Sequence, residues 1–389
     1  MLKLIKNVEV FTPDPIGRKD VLITGNSIGY IQDNIALGKS LEVETIDGSG
    51  KLLVPGFIDS HVHILGGGGE GSYKTRTPEI VLSDIIRGGV TTVIGCLGTD
   101  GVTRTMSNLI AKARGLEEEG ITCFIYTGSY QIPVRTLTGS ILDDIILIDK
   151  IIGVGEIALS DHRSSQPTVE EIAKIAAAAR VGGMLSGKAG VVNVHMGDGK
   201  RKLSFLDEII DTTEIPITQF IPTHVGRNPD LFQAAIAYAK KGGFVDLTTS
   251  VLKTSPDDKP VTSAPFLKKM LDEGVPVENI TFSSDGQGSL PEFDEHGKFI
   301  RLGVGKVTSL FNDIRDAIMN HNVPIETALK VITSNPATIL KLHQKGSISV
   351  GKDADLVLLD EDLEIDTVIA KGRIMVRQKE VVVKGTFET

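Results

Sequence analysis

The residues best suited to chemistry are four histidines and two acids, each found at or near the end of an apolar, strand-like run. His61 and His63 close LLVPGFIDSHVH, and the others lie in IIGVGEIALSD, GVVNVHMGD, IPITQFIPTHV and NITFSSDGQG. These others are Glu156, His195, His224 and Asp285. Imidazole nitrogens and carboxylate oxygens together suit zinc-type ions. The pattern predicts a metal centre if the fold gathers these six side chains.

Taken one at a time, these residues have ordinary structural explanations. A histidine at the end of a strand often only supports its neighbours through a hydrogen bond. Asp285 precedes a glycine in SSDGQG, as many turn-forming acids do. The chain has only eight histidines, however, and four of them occupy strand ends. This conjunction favours a metal centre.

A closed parallel barrel would bring the six residues together. Eight strand-like runs alternate with helical runs between residues 53 and 343, and the three without a candidate ligand are GVTTVIGCLG, ITCFIYTGSY and GFVDLTTS. This α/β pattern matches a TIM (β/α)8 barrel, in which the carboxyl ends of the strands meet at one mouth. A doubly wound open sheet is the alternative, but GGGG after His63 lacks the spacing of its phosphate-binding turn.

Helices are predicted for TPEIVLSDIIRGG, PDLFQAAIAYAKKGG and APFLKKMLDEG, the first with Thr77 as its N-cap. Short β runs with turn residues between them occupy both ends of the chain. Because chain termini often lie close together, we expect both ends to form one small β-sandwich domain. The predicted division is 1–52 and 344–389 for this domain and 53–343 for the barrel.

The composition excludes several classes of partner. A net charge of −9 argues against nucleic acid or an anionic membrane surface, and no apolar run approaches the ~20 residues of a membrane span. The N-terminal MLKLIKNVEVF alternates like a strand and lacks the features of a signal peptide. Cys96 and Cys123 lie in apolar runs and are expected to be buried free thiols. These observations predict a cytoplasmic protein.

Six ligands are too many for one tetrahedral ion that keeps an open water position. Two ions ~3.5–4 Å apart that share a bridging carboxylate and a bridging hydroxide would use all six. We assign His61, His63 and Asp285 to one ion and His195 and His224 to the other. Glu156 is the predicted bridge between them.

Several motifs resemble a known family. VPGFIDSHVH, SNPA and GKDADLVLLD resemble the amidohydrolase superfamily. HVHILGGGGE, YTGSYQIPVRTLTGS, SDHRSSQP, PTHVGRNPDLF and SSDGQGSLPEFD are similar to the isoaspartyl dipeptidases within it. The resemblance spans essentially the whole chain.

The resemblance implies a zinc metallopeptidase that hydrolyses the isopeptide bond of β-aspartyl dipeptides. It implies two zinc ions per subunit, a metal-bridging hydroxide as nucleophile, and a homo-oligomer, an octamer in this family. Asp285 is the implied general base and acid, Tyr130 the oxyanion donor, and Glu70 the partner of the substrate amino group. The implied substrate-binding residues are Gly68, Gly69, Glu70, Thr99, Tyr130, Arg163, Arg227 and Ser289. The bare glycines are expected to let the main chain approach a small ligand closely.

The chain departs from the family pattern at the bridging position. The best-known members carry a carboxylated lysine there, whereas this chain has Glu156 and no lysine between Lys150 and Lys174. Glutamate is shorter than a lysine carbamate, so the main chain must come nearer to the ions. GVGEIALSDHR looks one residue longer before the acid than the family's usual run, and Gly155 suggests a β-bulge. We therefore predict a glutamate-bridged pair that needs no bicarbonate, with a mononuclear enzyme as the alternative.

The sequence leaves two other functions open. A cyclic-amide hydrolase or a deaminase of the same superfamily would share the metal ligands but not the GGGGE and SDHRS segments. A catalytically inactive relative that serves as an assembly module would be expected to lose metal ligands. This chain retains every expected metal ligand, except that Glu156 stands where the family has a lysine.

Overall fold

The N-terminal part of the chain is a succession of β-strands. The structure, a computed structural model, describes residues 2–38, 40–250, 262–293 and 299–389. The first strands are β1 Leu2–Phe11, β2 Pro15–Thr24, β3 Ser27–Gln32, β4 Val43–Asp47 and β5 Leu52–Pro55. The strand predicted over 52–63 is therefore two strands, because Gly56 separates β5 from the next one.

Eight parallel strands follow, and all eight predicted runs contain one. They are β6 Phe57–Val62, β7 Val90–Gly95, β8 Thr122–Thr127, β9 Ile151–Leu159, β10 Val191–Met196, β11 Phe220–Thr223, β12 Val245–Thr248 and β13 Ile280–Ser283. Strands β11-β10-β9-β8-β7-β6 form a six-stranded sheet in that order, and β12 pairs with β13. Every residue of β6, β7, β9 and β10 is buried, as expected for parallel strands covered on both faces.

Hydrogen bonds join these two parallel sheets on both sides. The amide of Asp285 donates to the carbonyl of His61 at 3.1 Å, and the amide of His63 donates to the carbonyl of Gly286 at 2.9 Å. Between β11 and β12, the amide of Val225 donates to the carbonyl of Asp246 at 3.3 Å. The ends of β6 and β13 therefore lie side by side, although they are far apart in the sequence.

Helices alternate with the parallel strands. The first five are α1 Leu82–Ile86, α2 Met106–Glu119, α3 Ile141–Leu147, α4 Val169–Ser186 and α5 Ser204–Thr212. The others are α6 Pro229–Lys240, α7 Ala264–Asp272, α8 Ser309–His321, α9 Ile325–Lys330 and α10 Ser334–Ile339. A hairpin of β14 Ser289–Phe293 and β15 Phe299–Val304 precedes α8. Within the described residues, none of these helices has the length and apolar character that crossing a membrane requires.

The predicted N-cap of the first helix is wrong. Helix α1 begins only at Leu82, and its N-cap is Val81. Thr77 instead turns inward, where its hydroxyl accepts from the amide of Gly67 at 2.7 Å and donates to the carbonyl of Gln287 at 2.6 Å. A tertiary contact with the glycine loop has overridden the local capping signal.

The C-terminal strands return to the N-terminal ones. They are β16 Leu356–Leu359, β17 Ile365–Ala370, β18 Arg373–Arg377 and β19 Glu380–Val381. The resulting nine-stranded sheet runs β19-β18-β17-β16-β5-β1-β2-β3, with β4 beside β1, so β5 joins the two ends. Ile5 and Val21 share a hydrophobic cluster with Leu356 and Leu358. Both cysteines are buried free thiols, as predicted.

Candidate metal centre

The carboxylate of Glu156 lies among all four predicted histidine ligands. Its Oε1 is 3.3 Å from Nε2 of His63, and its Oε2 is 3.4 Å from Nε2 of His61. The same Oε2 is 3.1 Å from Nδ1 of His195 and 3.6 Å from Nε2 of His224. Candidate ligand atoms group as His61, His63 and Glu156 with Cys96 on one side, and as His195, His224 and Glu156 on the other. The structure thus brings these five predicted residues together.

Glu156 reaches this position from the middle of a strand. We expected it at the end of its strand, but β9 continues to Leu159. The register with β10 shifts here: Val154 pairs with Val192 and Ile157 with Val194, so two residues of β9 face one of β10. The bulge predicted next to Gly155 is therefore present, and such a bulge re-aims a side chain.

Asp285 approaches the other side of the histidine pair. Its Oδ1 is 3.1 Å from Nε2 of His63 and 3.8 Å from Nε2 of His61. Asp285 and His224 both follow the ends of their strands and have left-handed backbones, with φ of 53° and 62°. This conformation is uncommon for residues other than glycine, and it occurs often at functional sites.

The outward-facing nitrogen of each imidazole meets a protein group. Nδ1 of His61 lies 3.1 Å from Oδ1 of Asn193, and Nδ1 of His63 lies 3.8 Å from the Cys96 thiol. The corresponding partners are Oδ2 of Asp161 for His195, at 3.1 Å, and Oγ1 of Thr248 for His224, at 2.6 Å. A partner of this kind orients a histidine ligand and fixes which nitrogen faces the ion.

Three atoms that point into the cluster lack hydrogen bonds. Within the described part of the chain, Nε2 of His61, Oε1 of Glu156 and Oδ1 of Asp285 are buried and have no hydrogen-bond partner. Unsatisfied buried polar atoms are costly, and a bound ion is one common explanation for them. Because these atoms converge and are typical donors for divalent metals, the residues present fit a metal centre.

Tyr130 and the predicted substrate-binding residues surround this cluster. The Tyr130 hydroxyl lies 2.8 Å from Nδ1 of His195. The Glu70 carboxylate accepts from the Thr99 hydroxyl at 2.7 Å and from Nη1 of Arg163 at 3.1 Å. The guanidinium of Arg163 also lies 5.2 Å from the centre of the Tyr130 ring. Four of the predicted residues therefore form one continuous rim beside His195.

Arg227, Gly68 and Ser289 complete the rim. Nη1 of Arg227 lies 3.9 Å from Oδ2 of Asp161. At Gly68, where φ is +68°, a Cβ atom would lie only 2.7 Å from Cβ of Ser289. The absence of a side chain is therefore required by contacts within the chain itself. The approach of Gly68 and Gly69 to a ligand remains a prediction.

The model of the amidohydrolase family matches residues 52–375 of the chain. The chain belongs to the amidohydrolase family. Its solved relatives fit a fold of TIM-barrel type, in agreement with the curled parallel sheet and the separate terminal sheet described above.

The resemblance to isoaspartyl dipeptidases is confirmed by a solved structure. The β-aspartyl dipeptidase of Fervidobacterium islandicum AW-1, crystallised with the dipeptide β-Asp-Leu, is 50% identical to this amidohydrolase. The match covers 98% of this chain and 97% of that one, with a TM-score of 0.91.

More distant relatives perform other reactions. A deacetylase of Brucella anthropi is 24% identical over 353 residues, which is 85% of this chain and 78% of the relative. The dihydropyrimidinase of Brevibacillus agri NCHU1002 is 17% identical, with a TM-score of 0.68 over 99% of this chain and 97% of that one. At this identity the dihydropyrimidinase supports only the fold.

The two central acids of this amidohydrolase are held in their charged forms. Burial alone would raise the pKa of Glu156, but the charge of His61 and the contacts of its carboxylate with His195 and His224 outweigh burial and hold that pKa well below its usual range. Burial is likewise outweighed at Asp285, where the close approach and charge of the His63 imidazole lower the pKa to about 2. Both acids are thus carboxylates at neutral pH, as metal ligands must be.

Two other groups are held neutral. Burial lowers the pKa of His224 to about 3, although Glu156 opposes the shift. Burial, together with the charge of Glu156, raises the pKa of Tyr130 well above its usual range. A neutral imidazole can bind an ion, and a protonated phenol can donate a hydrogen bond.

The residues that orient the imidazoles were not predicted from the sequence. Asn193 precedes His195 by two positions on β10, so alternation along the strand could have placed both on one face. Asp161 stands two positions before Arg163 in SDHRS and could have been suspected from that motif. No local pattern singles out Thr248, because its contact with His224 joins two different strands.

Proposed function

We propose that this amidohydrolase is a dinuclear metallopeptidase that cleaves the isopeptide bond of β-aspartyl dipeptides. The observation that carries the proposal is a cluster of candidate metal ligands directly beside the rim, which contains two arginines and one acid. Nη2 of Arg163 is 3.2 Å from Nε2 of His195, so the rim begins where the cluster ends. The relative that is 50% identical was crystallised with a β-aspartyl dipeptide, which supports the same substrate class here.

The six predicted ligands would hold two divalent ions, which we expect to be zinc. His61, His63 and Asp285 would hold one ion and His195 and His224 the other, with Glu156 shared. When bound, such ions lower the pKa of a coordinated water and polarise a carbonyl group. The bulge at Gly155 brings the carboxylate of Glu156 within 3.6 Å of all four imidazoles, which supports a glutamate bridge without bicarbonate.

The rim matches the charges of the substrate. A β-aspartyl dipeptide carries two carboxylates and one amino group. Arg163 and Arg227 offer planar guanidinium groups suited to carboxylates, and Glu70 can pair with the amino group. Gly68, Gly69, Thr99 and Ser289 would complete the binding surface.

Two residues would act on the scissile bond. The Tyr130 hydroxyl would donate a hydrogen bond to the carbonyl oxygen as negative charge develops on it. The carboxylate of Asp285 would take a proton from the attacking water and deliver it to the nitrogen of the leaving amine. The lowered pKa of Asp285 keeps its carboxylate deprotonated, and the raised pKa of Tyr130 keeps its hydroxyl protonated, at neutral pH.

The decisive experiment is a substrate panel. The purified protein, with zinc added, should hydrolyse β-Asp-Leu and leave α-Asp-Leu essentially intact. Hydantoin, dihydroorotate and N-acetyl amino acids test the cyclic-amide hydrolase and deacylase alternatives. Preferred turnover of one of these would reject the dipeptidase assignment. No turnover of any of them by zinc-loaded protein would favour the inactive assembly module.

The architecture around the site carries further expectations. We propose that β6 to β13 close into one (β/α)8 barrel, which the hydrogen bonds between β6 and β13 support. The barrel would span 53–343, and 1–52 with 344–389 would form a β-sandwich domain. We also expect a homo-oligomer, an octamer by family resemblance, in the cytoplasm.

A further inference from the structure

Asp161 connects the metal centre to the rim. It follows β9 by two residues and is 6% exposed. Its Oδ2 lies 3.1 Å from Nε2 of His195 and accepts from Nη2 of Arg163 at 2.7 Å. One carboxylate oxygen therefore contacts both a candidate metal ligand and a candidate substrate-binding guanidinium.

The other oxygen of Asp161 fixes the direction of Arg163. Oδ1 accepts from Nε of Arg163 at 2.9 Å and from its backbone amide at 2.8 Å. A two-point contact between a carboxylate and a guanidinium leaves the planar group little freedom to rotate. Arg163 is therefore directed toward Glu70, whose Oε1 lies 3.1 Å from Nη1 of Arg163. Nη1 of Arg227 lies 3.9 Å from Oδ2 of Asp161.

Asp161 also distinguishes His195 from the other imidazoles. Within the described residues, the outer nitrogens of His61, His63 and His224 contact an amide, a thiol and a hydroxyl, whereas that of His195 contacts a carboxylate. A carboxylate at this position favours the tautomer with the proton on Nε2, and that tautomer would leave Nδ1, which faces Glu156, free to bind an ion.

We propose that Asp161 is a positioning residue that couples metal binding to substrate recognition, because its single carboxylate orients both His195 and Arg163. The substrate half of this inference rests on the proposed function, whereas the metal half does not. Loss of the carboxylate would loosen one ion and misdirect one arginine at the same time.

The test variant is Asp161→Asn, which keeps the shape of the side chain and removes its charge. The matched control is Asp198→Asn, which changes an exposed acid in the loop after β10. Zinc affinity is measured on metal-free protein by competition with a chromogenic chelator. Kinetics with β-Asp-Leu are measured with zinc in excess, so that loss of the ion does not mimic loss of substrate affinity.

We expect Asp161→Asn to bind one of two zinc ions about 10–100-fold more weakly, the usual effect of removing such a partner. We expect KM to rise at least about tenfold while kcat falls less, because a misdirected arginine weakens substrate binding. Asp198→Asn should change neither the zinc affinity nor KM. If Asp161→Asn does not fold, Asp161→Glu serves instead, and it should also weaken zinc binding and raise KM.

A double substitution shows whether Asp161 acts through Arg163. In an Arg163→Ala background, Asp161→Asn should raise KM much less than it does alone, because the two residues share one interaction. If the effects of Asp161→Asn and Arg163→Ala on KM are fully additive, Asp161 does not act on substrate binding through Arg163. Unchanged zinc affinity in Asp161→Asn would overturn the coupling. If the unmodified protein does not cleave β-Asp-Leu, the proposed function fails, but the zinc measurement still decides the role of Asp161 toward His195.

Discussion

The floor and the rim of the candidate site are built differently. The floor comprises the six candidate metal ligands, which lie on the parallel strands or directly after them. Apart from Tyr130 and Gly68, the rim comprises Glu70, Thr99, Arg163, Arg227 and Ser289, which lie in the segments that follow the parallel strands. The Glu156 side chain is 0% exposed, whereas the side chains of Arg163 and Arg227 are 25% and 34% exposed.

This structural difference corresponds to two proposed functions, metal binding with catalysis in the floor and substrate binding in the rim. Floor residues are placed by strand register, a bulge and burial, so each has one available position. Rim residues are placed by turns and ion pairs near solvent, where a side chain can change without disturbing the strands. We therefore expect substitutions in the floor to change metal content or chemistry, and substitutions in the rim to change substrate affinity.

The largest effect is expected at Glu156. Glu156→Gln removes the only carboxylate that lies within 3.6 Å of all four imidazoles among the described residues. We expect kcat/KM to fall about 10⁴-fold and zinc content to fall below two per chain. Metal analysis and kinetics measure both. Added bicarbonate should not change the activity of the unmodified protein. Two tightly bound ions in the variant would refute the bridge and break the distinction between floor and rim.

The next largest effect is expected at Asp285. Asp285→Asn removes the proposed proton carrier and keeps an oxygen ligand, so kcat should fall about 10²–10⁴-fold while most of the metal is retained. Steady-state kinetics and metal analysis on one preparation separate the two effects. A kcat close to that of the unmodified protein would exclude the proton-transfer role.

A smaller effect is expected at the rim. Arg163→Lys and Arg227→Lys keep the positive charge but lose the planar two-point contact. KM for β-Asp-Leu should rise about tenfold or more, with kcat changed only a few-fold and zinc content unchanged. Loss of zinc in either variant would show that rim and floor are not separable.

The smallest effect concerns a buried acid outside both regions. Asp313 is 4% exposed, and burial together with the charge of Asp316 raises its pKa from 3.8 to about 8. The folded protein thus keeps a proton that the unfolded chain loses, so stability should decline as pH rises from about 4 to about 8. Asp313→Asn should reduce the fall in Tm between pH 5 and pH 8 by a few degrees. If the fall in Tm between pH 5 and pH 8 is the same in Asp313→Asn as in the unmodified protein, Asp313 is ionised in the folded protein.

The sequence predicts the floor much better than the supports around it. All eight parallel strands and the histidine pair were predicted from apolar runs that alternate with helical ones. The bulge at Gly155 was predicted from the glycine and from the comparison with the family's usual run. Contacts between distant segments are not encoded locally, so Thr248 was missed, whereas Asp161 had a local signal in SDHRS that was not used. The same reason explains Thr77, which contacts Gln287, 210 positions away, instead of capping a helix.

The left-handed backbones at His224 and Asp285 have an evolutionary consequence. Each costs the folded chain on the order of 1 kcal/mol that glycine would not incur. Selection for thermal robustness alone would therefore favour glycine at both positions and remove two candidate metal ligands. We expect directed evolution without an activity screen to lose the site there first, while the surrounding strands persist.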